Sequence, residues 1–169
     1  YSALFSIFGL TVCSSDALIQ KRAYRIVTKL SEFESGSTAV AQFISDIENV
    51  MVDNTTTVQT SAKAARLAAI KTIVDLLPFD HLGFIVRTVA EVILSTKDVN
   101  EKSRETAFDT LINMGKKMNE PNGIIKLSQI PGYDPATPDQ PSSVSEFFKI
   151  ISAGLIGESQ HMVSSSITG

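Results

Sequence analysis

Val40, Phe43, Ile44, Ile47, Val50 and Met51 stand at i, i+3, i+4, i+7, i+10 and i+11, and Leu82, Ile85, Val86, Val89, Val92 and Ile93 repeat those offsets 42 residues later. Spacings of three and four put apolar side chains on one face of a helix, so each stretch predicts a helix with a single buried stripe. A template recurring at such an interval points to repeated units, each burying its face against its neighbour. A third copy is Val144, Phe147, Phe148, Ile151 and Leu155, with Gly154 where an apolar residue is expected, 62 residues after the second. The surplus falls in a stretch from Asn119 to Pro141 that holds five of the six prolines: Pro121, Pro131, Pro135, Pro138 and Pro141. Proline interrupts helices, so this stretch predicts an insertion loop.

Between these helices lies a second set. Thr60 to Ile73 and Asp98 to Leu111 align at an interval of 38, pairing Arg66 with Arg104, Ala69 with Ala107 and Ile73 with Leu111. Asp16 to Leu30 is an earlier copy that keeps the six-residue spacing of Asp16 and Arg22, but its apolar row Ile26, Val27, Leu30 is slipped by one. A fourth would begin near Ser159 with Met162 and Val163. Paired helices at these intervals, with Asp and then Arg six later opening the second helix, resemble HEAT repeats. The fold expected is therefore all-α, a solenoid of about four helical hairpins: 1–34, 37–77, 80–118 and a truncated 143–169, with 119–141 as the Pro-rich insertion. Helix starts are expected at Thr38, Asp80 and Asp98, and at Ser143 with Glu146 as a capping box.

Composition limits the chemistry. The single Cys13 closes no internal disulfide, and with only His81 and His161 beside it there is no structural zinc set. Residues 1–15 carry no charged side chain but include five Ser and Thr residues and no basic flank, which favours a core helix over a membrane or signal segment. The chain starts at Tyr1 and ends at Gly169 within a helical pattern, and is read as part of a longer protein. Asn54-Thr55-Thr56 matches a glycosylation sequon by chance. Gly157-Glu-Ser159-Gln-His161 begins like a nucleophile elbow but has His where Gly is required, and no phosphate-loop or zinc-protease motif occurs. No catalytic residue, cofactor or metal site is expected.

With 15 Lys+Arg against 18 Asp+Glu, any nucleic-acid contact must be local. Lys21, Arg22, Arg25 and Lys29 cluster on the first second-type helix, Lys63, Arg66 and Lys71 on the next, and Lys102, Arg104, Lys116 and Lys117 on the third. Arg22, Arg66 and Arg104 hold the repeat's own Arg position and are assigned, with Asp16 and Asp98, to a structural ladder. Lys63, Lys71, Lys102, Lys116 and Lys117 are the candidate RNA contacts, joined by Lys126 and Tyr133 of the insertion. The insertion also carries Ile124, Ile125, Leu127 and Ile130, too apolar for a simple linker, and a Thr137-Pro138 pair.

The runs Ile130-Pro-Gly-Tyr-Asp-Pro135, Ser145-Glu-Phe-Phe-Lys-Ile-Ile-Ser-Ala-Gly-Leu155 and Gly157-Glu-Ser-Gln-His-Met-Val-Ser-Ser-Ser-Ile-Thr168 resemble the ribosomal RNA-processing protein twelve family, large fungal and animal HEAT-repeat proteins of small-subunit ribosome assembly. The resemblance implies a nucleolar and nuclear scaffold, shuttling to the cytoplasm, that binds pre-ribosomal RNA, ribosomal proteins and assembly proteins and assists nuclear export. It implies no catalytic residue, no membrane and no DNA specificity. The alternative is a transport-receptor-like module, with nuclear transport factors as partners, whose grooves take nucleoporin Phe-Gly segments or a small GTPase.

Overall fold

The computed structural model describes residues 1–78 and 81–119. The expected capping residues Asp80 and Ser143, the Pro-rich insertion and the fourth repeat lie outside them. Among the described residues the chain is all-α, with seven helices and no strand: α1 (Ser2–Val12), α2 (Ala17–Leu30), α3 (Glu34–Gln42), α4 (Ile44–Asp53), α5 (Lys63–Leu76), α6 (Gly83–Ser95) and α7 (Glu101–Asn119). Short 3₁₀ turns at Thr55–Thr57 and Thr60–Ala62 lead into α5. Two compact units result, Tyr1–Leu77 and Pro78–Gly169.

In the first unit, α1 packs on α2 as a hairpin, α1 also packs on α4, and α2 packs on α5. First-type helices thus lie beside first-type and second-type beside second-type, the two-layer stacking that lets each hairpin cover the next. The apolar stripe of the second repeat is buried at Val40, Ile44, Ile47 and Met51. It is carried, however, by two helices rather than one. The first-type helix begins earlier than expected, at Glu34, and breaks at Phe43, whose backbone (φ −102°, ψ 19°) leaves helical geometry. Phe43 lays its ring against Phe5 of α1, centroids 4.9 Å apart. Thr38 is accordingly no cap: it sits inside α3, its hydroxyl donating to the Glu34 carbonyl at 3.0 Å.

α1 buries Phe5, Phe8 and Val12, as a core helix should. On α2 the buried residues are Gln20, Ala23, Tyr24 and Val27. Moved forward by 42 they fall on Ala62, Ala65, Arg66 and Ala69, all buried at the start of α5. This resolves the slipped register: Tyr24, not Arg22, is the structural equivalent of Arg66.

In the second unit α6 and α7 form a hairpin. Leu82, Ile85, Val89, Val92 and Ile93 are buried as the template requires, and Phe84 and Thr88 join them. The 38-residue interval superimposes buried Ala65, Ala69 and Ile73 on buried Ser103, Ala107 and Leu111. Asp98 stands ahead of the helix start. Its carboxylate accepts from Asn100 N at 2.8 Å, and it is Asn100 whose side chain accepts from Ser103 N at 3.1 Å and fills the capping role.

Candidate nucleic-acid interface

The second-type helices differ sharply in what they show to solvent. On α2, at about 100° per residue, Leu18, Arg22, Arg25 and Lys29 fall within about 60° of one another, a stripe about 16 Å long. All four are exposed, and the buried Gln20, Ala23, Tyr24 and Val27 lie on the opposite side. Lys21 flanks the stripe, half-buried. No Asp or Glu occurs between Ala17 and Leu30, so nothing within the helix neutralises these cations. Among the described residues, Lys29 is the member of this stripe held in an ion pair, with Glu32 at 2.7 Å. Asp16 caps the helix, its carboxylate accepting from Leu18 N at 2.7 Å and Ile19 N at 3.2 Å, which fixes the first turn.

α5 lies alongside and extends this surface. Lys63 and Lys71 sit 42 residues after Lys21 and Lys29, at equivalent positions on the neighbouring helix. Lys63 is exposed; Lys71 is half-buried and 3.6 Å from Asp75. The first unit thus brings Lys21, Arg22, Arg25, Lys29, Lys63 and Lys71 into one layer. An arrangement of this kind can hold phosphates, because cations with few local acids release counterions when a phosphate backbone arrives.

α7 offers a different surface. Lys102 and Lys116 are exposed, but Glu101, Glu105 and Asp109 lie on the same exposed side, three acids to two lysines. Lys117 is half-buried and engaged. Lys126 and Tyr133 lie outside the described residues.

The arginines of the repeat position occupy unlike surroundings. Arg22 is exposed on the α2 stripe. Arg66 is wholly buried: Nη1 donates to the Tyr24 hydroxyl at 3.3 Å, and Nη2 donates to the Met51 carbonyl at 2.8 Å and to Thr55 Oγ1 at 3.1 Å. Its guanidinium also lies 5.7 Å from the centroid of the Tyr24 ring. Glu48, one turn before Met51 on α4, is buried in the same unit and brings a carboxylate into that interior. Arg104 is half-buried, and its Nη1 reaches back to the carbonyls of Asp98 at 2.9 Å and Val99 at 3.1 Å, closing the loop that precedes α7.

Gln20 ties the hairpin ends of the first unit together. Its amide nitrogen donates to the carbonyls of Val12 at 2.8 Å and Thr57 at 3.1 Å, while its oxygen accepts from Gln59 N at 2.8 Å. One side chain thus joins the α1–α2 corner to the turn before α5.

Among the described residues no group of three or more metal-ligating side chains converges, and no helix is long and apolar enough to cross a membrane. Lys21 and Arg25, with the exposed Leu18, stand outside the candidate contacts read from the sequence. The signal was present as an absence, since α2 lacks any acidic residue while α5 and α7 do not.

No protein-family model matches the chain. Among curated proteins it is 88% identical over all 169 residues to Ribosomal RNA-processing protein 12 of Saccharomyces cerevisiae, and 30% identical over 149 residues, 88% of the chain, to the putative protein of that name in Schizosaccharomyces pombe. It is 33% identical over 99 residues, 57% of the chain, to the RRP12-like protein of Homo sapiens. The chain spans 14%, 12% and 8% of the lengths of these three relatives. With identity of that level along its entire length, joined to an all-α fold of stacked hairpins, the chain belongs to the ribosomal RNA-processing protein 12 family.

Proposed function

We propose that this chain is a non-enzymatic scaffold segment of ribosome biogenesis that holds pre-ribosomal RNA on the second-helix layer of its first unit. Assembly proteins and ribosomal proteins engage its remaining surfaces, and the parent protein works in the nucleolus and nucleus, supporting rRNA processing and subunit export. The relatives are named as ribosomal RNA-processing proteins, which supports the process. The observation that carries the RNA reading is the acid-free face of α2, where Arg22 and Arg25 stand exposed beside Lys21 and are echoed on α5 by Lys63. The packing of α2 on α5 sets the two groups of cations side by side in the first unit.

The test is RNA crosslinking in cells with Lys21→Glu, Arg22→Glu and Arg25→Glu combined, beside a control of Lys102→Glu with Lys116→Glu on α7. The α2 variant should lose most crosslinking from this segment and bind RNA in vitro with a shallower salt dependence, by about 0.7 in log–log slope for each phosphate contact removed. The α7 control should lose less, because three acids already share its face. Crosslinking that survives the α2 changes, with helical content intact, would remove this face from the RNA contact.

A further inference from the structure

The α2 stripe is not uniformly basic. Its first turn shows two aliphatic side chains, Leu18 at 54% exposure and Ile19 at 42%, and the cations follow from the second turn onward. The exposed carboxylate of Asp16 sits at the same end, bonded to the N–H groups of both aliphatics. Asp16 thus already occupies the anion position at the first turn, so a phosphate is drawn instead to Arg22 and Arg25, three to seven residues further along.

We propose that this stripe takes an unpaired RNA strand, with a base resting against Leu18, Ile19 and the plane of Arg22 and the adjoining phosphates on Arg25 and Lys21. This rests on the RNA reading given above and names the class of RNA. An A-form duplex keeps its base faces stacked inside and presents phosphates and 2′-hydroxyls, leaving branched aliphatic side chains nothing apolar to cover. An unpaired strand exposes base faces, which stack on guanidinium planes and settle on apolar surface. Arg22 lies one helical turn from both Leu18 and Ile19, so a single base can meet all three side chains. The guanidinium groups of Arg22 and Arg25 have no hydrogen-bond or ion-pair partner among the described residues, so both are available. The ordering of aliphatic pair, then arginines, gives the strand a polarity: base first, phosphates after.

The experiment measures fluorescence anisotropy of the full chain with three probes: an oligouridine of about 20 nucleotides, an RNA duplex of about 20 base pairs and a glutamate- and leucine-rich peptide of similar length. Leu18→Ser with Ile19→Ser is compared with Arg22→Glu with Arg25→Glu, each checked for unchanged circular dichroism; all four side chains are exposed, so folding is retained. The oligouridine should bind more tightly than the duplex at equal salt. The aliphatic variant should lose about fivefold for the oligouridine and nothing for the duplex, and the arginine variant should lose both. Duplex binding equal to or tighter than oligouridine, or no effect of the aliphatic variant, overturns the unpaired-strand inference while leaving the RNA reading in place. RNA binding untouched by the arginine variant overturns the RNA reading itself. Tighter capture of the acidic peptide than of either RNA, lost in the aliphatic variant, assigns the stripe to a protein partner and overturns the inference.

Discussion

Arg66→Ala should destabilise the first unit by about 4 kcal/mol, because breaking a buried charged network strands the groups left behind. The magnitude follows from what the guanidinium does. It is 0% exposed, donates to three oxygens on two elements other than its own and on the turn before α5, and lies against the Tyr24 ring. Each hydrogen bond from a charged donor contributes about 1.5 to 3 kcal/mol and the ring contact about 1 to 2, and shared partners keep the sum well below simple addition. Alanine leaves the Met51 carbonyl without its Nη2 donor in the interior and removes a positive charge from a region that also holds the Glu48 carboxylate. For a unit of this size each kcal/mol moves the melting temperature by about 4 to 8 °C, so a fall of at least about 15 °C is expected. Urea unfolding reads the free-energy loss and a thermal melt reads the temperature shift, both followed by circular dichroism. Arg66→Lys supplies an internal comparison: it keeps the charge but not the planar fork, and should lose about half as much. A loss below about 1 kcal/mol for the alanine variant would refute the reasoning, since a buried three-way junction cannot be removed so cheaply.

Two further outcomes are expected from the same unit. Gln20→Leu leaves the Val12 and Thr57 carbonyls and the Gln59 N–H without their side-chain partner, a loss of about 2 to 3 kcal/mol, and the Gln59 amide should exchange with deuterium much faster than in the parent chain. Gly36→Ala places a methyl against the Leu30 carbonyl group; backbone rather than a flexible side chain must move, so thermal unfolding should show about 2 to 4 kcal/mol of destabilisation, and wild-type stability would refute the close approach of α3 to the end of α2.

The helical class was legible because burial follows period: Ile44, Ile47, Leu82, Ile85 and Val89 are apolar at helical offsets and are buried there. The 38-residue alignment of α5 with α7 was legible for the same reason, small Ala65 and Ala69 falling on Ser103 and Ala107. The break at Phe43 was not, because an apolar stripe continues unbroken through it; Phe43 instead meets Phe5, a residue 38 positions away that no local pattern relates to it. The first repeat's register was hidden by charge. Arg22 resembles Arg66 by type, but burial equates Arg66 with Tyr24, and a guanidinium and a phenol share no letter in a sequence pattern. On the surface, a list of lysines does not show the net field a phosphate meets: Glu101, Glu105 and Asp109 share the face of Lys102 and Lys116, and α2 has no acid at all.

The pairing of Tyr24 with Arg66 carries a lesson about assembly order. Equivalent positions of adjacent second-type helices hold a ring and a cation that fit each other. A hairpin stacked on a copy of itself would set phenol against phenol, or guanidinium against guanidinium in a dry interior, where like charges repel strongly. The two hairpins are therefore not interchangeable bricks. Each recognises its proper neighbour, so a chain built of similar modules can distinguish its own correct succession from a shuffled one while it folds.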